Sequence, residues 1–326
     1  MRSSRLEVLS SEESKSIYIS RINRVVDYIK SNLEGDLSLE KLSSIANFSK
    51  FYFHRIFKSV TGENLNSCVG RMKIEKSAFM LIYNPSLSIT AIAFDSGFSS
   101  PAVYSREFKA RFKLTPSQWR REKQSKICKV DRNICKEPRE TEIYIEFSKN
   151  RPSWGIKMQN QNTLNVQVRS MPEVPIAYIR HHGAYNPLDR KLFKSLFSKL
   201  ISWAAPRDLF NPPLTKAMTI FSSGHPETTA PDHLSVDVAI SIERQIAVAG
   251  EVGKRVIPAG QYAVISLIEA TMEECGEAWN TLFKVWLPTS GYQPGEGAYY
   301  INHLNDPEQH SKKLNSVEMY LPVKPL

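Results

Sequence analysis

Only four cysteines occur in 326 residues, Cys68, Cys128, Cys135 and Cys275, and none forms a CxxC pair. They are too few and too scattered to brace a chain of this length, so reduced thiols are expected, with neither a disulfide nor a zinc or other metal site. No run approaches the roughly 18 uninterrupted apolar residues of a membrane helix, and the start, Met1 to Ser16, is polar without an apolar signal core. A soluble, cytoplasmic chain with no membrane partner is expected. GxSxG, the P-loop and the dinucleotide fingerprint are all missing, which excludes the chemistries they serve and leaves no cofactor to expect. Acidic residues are also short: 33 Asp and Glu stand against 43 Lys and Arg, a formal net charge of +10. A polyanionic partner would explain that balance. The excess is local, because residues 1–125 hold 20 of the basic and 12 of the acidic side chains.

What is present suits two domains, since the chain is 41% hydrophobic and long enough for two cores. From Ile17 to Arg121 the apolar period is helical; Ile22, Val25, Val26, Ile29 and Leu33 mark one stripe, closed by Gly35. Between 122 and 162 the pattern dissolves into polar sequence interrupted by Pro138 and Pro152, which reads as a linker around at most one short strand, Ile143 to Phe147. Residues 163–326 alternate strand-like and helix-like segments in the order β, α, β, β, twice over. An echo of Ser195-Leu196-Phe197 in Thr281-Leu282-Phe283, at an offset of 86, fits a duplication. His181, His182 and His225 lack metal-ligand spacing, and adjacent histidines on a strand point to opposite faces.

A closer repeat lies in the basic part. Ser38, Leu39, Leu42, Phe48 and Ser49 recur as Ser88, Ile89, Ile92, Phe98 and Ser99, and, after one inserted residue, Phe53, Arg55, Phe57 and Lys58 recur as Tyr104, Arg106, Phe108 and Lys109. Each copy reads as helix, tight turn, helix, with Ser49 and Ser100-Pro101 as starts for the second helices. Period alone turns Phe53, Ile56, Phe57 and Val60 inward in the first copy and leaves Phe51, His54, Arg55 and Lys58 outward. In the second copy Tyr104 and Phe108 turn inward, leaving Ala102, Ser105, Arg106 and Lys109. A basic helix face by itself is ordinary solvated surface. Two outward faces that correspond position by position, in the most basic third of the chain, point to double-stranded DNA, where Arg can bond guanine twice and Lys can meet phosphate.

The stretch ITAIAFDSGFSSPAVYSREFKARFKLTPSQWRR, with Gly97-Phe98, Phe108-Lys109, Pro116 and Arg120-Arg121, resembles the AraC/XylS family of transcription regulators, and the likeness runs from Ile17 to Arg121. It implies an all-α domain at 17–121, behind a tail at 1–16, in which two helix-turn-helix units joined by a long helix, Leu65 to Tyr83, enter successive major grooves. Phe51, His54 and Arg55 fall on the family's contact positions in the first unit, and Ala102, Ser105 and Arg106 in the second. Pro101 and Ala102 replace residues that are often polar there, which thins direct readout by the second unit.

The remainder, 163–326, resembles a GyrI-like effector-binding domain, carried by VPIAYIRHHGAY, IPAGQYAVISL, WLPTSGY, YINHLNDP and VEMYLPV. The resemblance implies an α+β fold of two pseudo-symmetric β-α-β-β halves around a small-molecule pocket, and a head-plus-domain arrangement like that of the Rob regulators. Tyr185, Trp279, Trp286, Tyr300, Ile301, His303 and Glu318 are the candidate effector residues. Many such domains carry a glutamate where this chain has Ile301; Glu318 matches a second acidic position. The expected function is a transcription regulator, an activator or a repressor, that binds DNA and senses an amphipathic or aromatic effector, with RNA polymerase as a further candidate partner. Two alternatives stand beside it: a GyrI-like small-molecule hydrolase fused to a DNA-binding head, and a protein-interaction module in place of ligand sensing.

Overall fold

The computed structural model describes residues 11–123, 141–148, 151–158, 165–186, 189–222, 229–242, 246–248, 250–295 and 297–326. Cys128, Cys135 and His225 lie outside these residues, as does the Phe51 side chain. The helical part comprises α1 (Ser11–Ser31), α2 (Leu39–Ile45), α3 (Lys50–Thr61), α4 (Leu65–Tyr83), α5 (Ile89–Asp95), α6 (Pro101–Phe112) and α7 (116–123). The α1 stripe Ile22, Val25, Val26, Ile29 and Leu33 is buried in one core with Phe53 and Phe57 of α3. Tyr104 and Phe108 of α6 share a second core with Ile92, Phe98 and Trp119. Helix α4 joins the two, giving Leu65, Cys68 and Met72 to the first core and Ile74, Ala78 and Leu81 to the second.

Both units turn on a left-handed residue, Asn47 at φ 52° and Gly97 at φ 81°. Asparagine tolerates that conformation. At Gly97 space adds to the demand, since a Cβ there would sit 2.3 Å from the Leu33 carbonyl oxygen. Ser38 and Ser88 cap α2 and α5 by accepting from the Lys41 and Ala91 amides, and Ser100 caps α6 by accepting from Val103. Ser49 occupies the start of α3 without a side-chain bond, which departs from the expected match of the two second helices.

Where the sequence allowed one short strand before residue 162, there are two, β1 (Thr141–Ser148) and β2 (Arg151–Met158), paired antiparallel with Pro152 opposite Phe147. The remaining strands are β3 (Val166–Met171), β4 (Val174–His182), β5 (Ala217–Phe221), β6 (Ser235–Ser241), β7 (Gly253–Ile257), β8 (Gly260–Ala270), β9 (Tyr292–Pro294), β10 (Tyr300–His303) and β11 (Asn315–Pro325). They form one antiparallel sheet in the order β3-β8-β11-β10-β5-β6-β4-β7, with β9 beside β11. Helices α8 (Arg190–Ala204) and α9 (Met272–Thr281) fill the two β-α-β-β repeats; α9 runs on through a π turn, Leu282–Trp286. The offset of 86 residues also separates the start of β4 from that of β8.

Only Pro172-Glu173 links β3 to β4, and only Pro258-Ala259 links β7 to β8, although each pair lies near opposite ends of the sheet. At about 4.8 Å per strand a flat sheet would hold those ends about 29 Å apart, beyond a two-residue link at about 3.5 Å per residue, so the sheet curls into a half-barrel. Its two faces follow from register. Ala177, Ile179, Val238 and Ile240 pack under α8, and Ala263, Ile265, Val317, Met319 and Leu321 under α9. The other, concave face holds Ile176, Tyr178, Met218, Ile220, Tyr262, Val264, Tyr300 and Tyr320.

Helix α1 closes part of that concave face. Its Asp27 accepts from Arg180 Nη2 at 2.7 Å and from the Tyr178 hydroxyl, and lies 4.0 Å from Arg255. Arg180 donates twice to Asp237, at 2.6 and 2.8 Å, and Arg255 donates to the same carboxylate at 2.7 Å. Two carboxylates and two guanidinium groups are thereby balanced, and Lys30 is a fifth charge, its Nζ donating to the Ser222 main-chain oxygen at 2.8 Å. Burial first, then Arg180, lowers the Lys30 pKa to about 7. Among the further contacts between the helical and sheet-bearing parts, Asn84 Nδ2 donates to Gln293 at 2.5 Å, and the Tyr83 and Phe283 rings lie 5.3 Å apart.

A lysine held near pKa 7 when folded and near 10.5 when unfolded leaves the unfolded state with more bound protons between those values, so stability rises with pH across that window. Urea denaturation should show wild type gaining about 2 kcal/mol over Lys30→Met between pH 7.5 and 9, at up to about 1.4 kcal/mol per unit. Parallel pH profiles of the two proteins would refute it.

Candidate nucleic-acid interface and effector groove

On α3, Phe53 and Phe57 are fully buried, Ile56 and Val60 half-buried, and His54, Arg55 and Lys58 exposed. On α6, Tyr104 and Phe108 are fully buried, Ala102, Arg106 and Lys109 exposed, and Ser105 half-buried. These exposures hold with the sheet-bearing part in place, so α1 and α4 carry it away from both outward faces. Arg55, Lys58, Arg106 and Lys109 make no ion pair among the described residues. Cations elsewhere in the helical part do pair: Lys50 with Glu40, and Lys76 with Glu34 at 3.1 Å.

The two units are held in register by buried charge. Arg71 on α4 donates to Glu63, after α3, and at 3.1 Å to Glu75, while Arg111 of α6 reaches Glu75 at 3.5 Å. Burial pushes the Glu75 carboxyl up from its ordinary value, against the pull of Arg71 and Arg111. His233, from the segment between β5 and β6, comes within 3.8 Å of Glu63.

On the convex side of the sheet, β5 and β10 run between the strands that α8 and α9 cover, which leaves a groove. Thr219, Phe221, Ile301 and His303 share that side by register, whereas Tyr300, Asn302 and Glu318 face the concave side. Phe197 of α8 meets His303 edge-on at 5.6 Å, and Tyr185 meets Phe193 at 6.4 Å. Across the groove Phe221 stacks on Tyr299 at 4.9 Å, and Trp279 of α9 stands 6.0 and 5.1 Å from those two rings. The His303 ring bonds Thr219 Oγ1 at 2.9 Å, and burial lowers its pKa to about 4, so it is uncharged at neutral pH. Trp279 Nε1–H is buried without a hydrogen-bond partner among the described residues.

Of the candidate effector residues, the groove gathers Tyr185, Trp279, Ile301 and His303. Trp286 is buried against Tyr292, 6.0 Å away, in the α9 core. Tyr300 stacks on Tyr320 at 4.6 Å inside the half-barrel. Glu318 accepts from Arg169 at 3.1 Å and from Tyr320 at 2.7 Å; burial would raise its pKa, but those bonds hold it below the ordinary value. Thr219, Phe221, Phe193, Phe197 and Tyr299 were not legible as groove residues: Phe197 stands out in the sequence only as part of the internal echo, strand alternation in β5 marks Thr219 and Phe221, helix period in α8 marks Phe193, and Tyr299 precedes β10.

Two helix-turn-helix units with outward cations, followed by a helix-covered curled sheet with an aromatic groove, define a DNA-binding regulator with a sensing domain. Residues 42–122 match a helix-turn-helix domain model, and 164–324 match that of the GyrI-like small molecule binding domain. The Tn10 transposon TetD protein of Escherichia coli is 34% identical over 111 residues, 34% of this chain and 80% of TetD. A DNA gyrase inhibitor of Yersinia enterocolitica is 33% identical over 135 residues, 40% of this chain and 80% of its own. Among solved structures, an EcmrR–DNA complex aligns over 88% of this chain and 99% of that one, at 11% identity and a TM-score of 0.42. The chain belongs to the AraC/XylS family of transcription regulators and carries a GyrI-like domain behind its DNA-binding head. Among the described residues no helix is long and apolar enough to cross a membrane.

Arg71→Met would take from the buried Glu75 and the half-buried Glu63 the guanidinium they share at the joint between the units. It should cost about 3 to 5 kcal/mol in chemical denaturation. A loss under about 1 kcal/mol would show that Glu63 and Glu75 do not depend on Arg71.

Proposed function

We propose that α3 and α6 read adjacent major grooves through His54, Arg55, Lys58, Ala102, Ser105, Arg106 and Lys109, and that the groove between α8 and α9 takes a neutral or amphipathic aromatic effector. The matched and exposed cations on both second helices, unpaired among the described residues, carry the DNA half of this reading. Phosphates release condensed counterions when such cations meet them, so affinity falls steeply with salt. The chemistry of its lining carries the effector half: aromatic rings, an uncharged histidine, one unmatched indole N–H and, at position 301, an isoleucine. A compact cation entering such a groove would leave its charge unpaired, at a cost of several kcal/mol.

Sensing is favoured over hydrolysis by the same placement. A paired acid needs two carboxylates in the groove, and Ile301 fills one position while Glu318 faces the opposite side of the sheet. RNA polymerase is the further partner an activator of this kind would touch, and the cytoplasm is where it would meet DNA.

Arg55→Ala should weaken binding to a selected duplex by about 1 to 3 kcal/mol and relax specificity at one or two positions, whereas Lys58→Ala weakens matched and scrambled duplexes alike. Uniform loss with Arg55→Ala would place that side chain on phosphate. For the groove, titrating the full chain with N-phenyl-1-naphthylamine and with tetraphenylphosphonium should show preference for the neutral probe. Glu318→Gln should change neither affinity, and Ile301→Glu should raise cation affinity about tenfold, or about 1.4 kcal/mol. Cation preference in the wild type, or no binding of either probe, would overturn the assignment, the second outcome favouring a protein-docking role for this domain.

A further inference from the structure

We infer that the effector groove is coupled to the first DNA-reading helix through α1, with Asp27 as the positioning residue that joins them. The inference rests on the groove being the effector site. Its basis is that β5 serves two faces at once. Thr219 and Phe221 line the groove, and the next residue, Ser222, is part of the buried charge cluster on the concave side: its carbonyl accepts from Lys30, and its hydroxyl bonds both Asp237 and Arg255. The Phe221 amide donates to the Tyr299 carbonyl at 3.1 Å, so the stacked Phe221 and Tyr299 pair is tied to the strand at main-chain level. A molecule that parts those rings displaces β5, and Ser222 moves with it.

Asp237 on the neighbouring strand is in register with Ile220 of β5 and with Arg180 of β4. Both guanidinium groups that hold Asp237 also face Asp27, Arg180 at 2.7 Å and Arg255 at 4.0 Å. Asp27 is therefore the carboxylate through which α1 answers the sheet. Along α1 it lies beside Val26 and two residues before Ile29, which are packed with Phe53 and Phe57 on the reverse side of the helix that presents His54, Arg55 and Lys58. Packed cores shift as units, so a tilt of α1 carries α3 with it. The aromatic contact between Tyr83 and Phe283 offers a second path into α4, and the test separates the two.

The test is a double-mutant cycle on the full chain, read as affinity for a duplex selected from random sequence. Ile301→Trp fills the groove without a ligand; Asp27→Asn keeps the shape of the positioning side chain and removes its charge. The expected result is that Ile301→Trp changes DNA affinity about fivefold or more in the wild-type background and less than twofold with Asn at position 27. Footprints should change on the half-site of the first unit. Asp27→Asn alone should leave N-phenyl-1-naphthylamine binding unchanged, which a merely destabilised fold would not. Tyr178→Phe, which removes one bond to Asp27 and no charge, should give a partial loss of coupling and stands in should the asparagine variant fail to fold. An equal effect of Ile301→Trp in both backgrounds would overturn the route through Asp27, and a shared loss with Phe283→Leu would assign it to α4. No effect in either background would overturn the coupling, while the groove itself stands or falls on dye binding.

Discussion

A charge taken out of water must find its counter-charge, and the joint between the two parts of this chain is organised around that requirement. Within the helical part Asp27 on the first helix has only the charge of Lys30, one turn on, beside it; Arg180 and Arg255 on the sheet would be left facing Asp237 alone. Only when α1 lies on the concave face are both pairs complete. Such a cluster gives little net stability against a hydrophobic equivalent, but it is intolerant of misplacement. It therefore fixes which way the helical part faces, and with it the free outward surfaces of α3 and α6.

Much of the helical part was legible because it is local. Repeated Ser, aromatic, Arg and Lys spacings specify two helix-turn-helix units, and a 3.6-residue period sorts inward Phe57 from outward Lys58 without knowledge of anything distant. The tight turn at Gly97 is legible as a glycine, although the reason for it, the Leu33 backbone, is 64 positions earlier. The second part was legible in order but not in facing. The rule that separates His181 from His182 also separates Tyr300 from Ile301, and applied there it would have divided the candidate effector residues between the two sides of the sheet. The hairpin of β1 and β2 was obscured by Pro152 within it and Pro138 ahead of it, and the Asp27 cluster by distance, since a pair 153 residues apart leaves no periodic trace.

The contrast between the two faces of the sheet has a chemical side. The concave face holds the acids and their arginines in closed pairs, while the groove presents rings and neutral polar groups. Charge is thus used to fix the position of one domain on the other and, under the effector assignment proposed above, is withheld from the surface that would meet an effector. A regulator working as proposed would discriminate ligands by shape and ring chemistry and be spared competition from small cations.

The order of strands carries one more consequence. The chain trades edge strands between its two repeats: β3 leads into the first repeat but pairs with β8 of the second, and β7 leads into the second but pairs with β4 of the first. Each repeat is thus belted by a strand of the other, and the links that make the exchange are only two residues long. The repeats cannot part like jaws. The width of the space between α8 and α9 is set by the belt, so under the proposed assignment accommodation of different molecules would fall to ring rotation within it, and a bulkier guest would be refused by the backbone rather than by any single side chain.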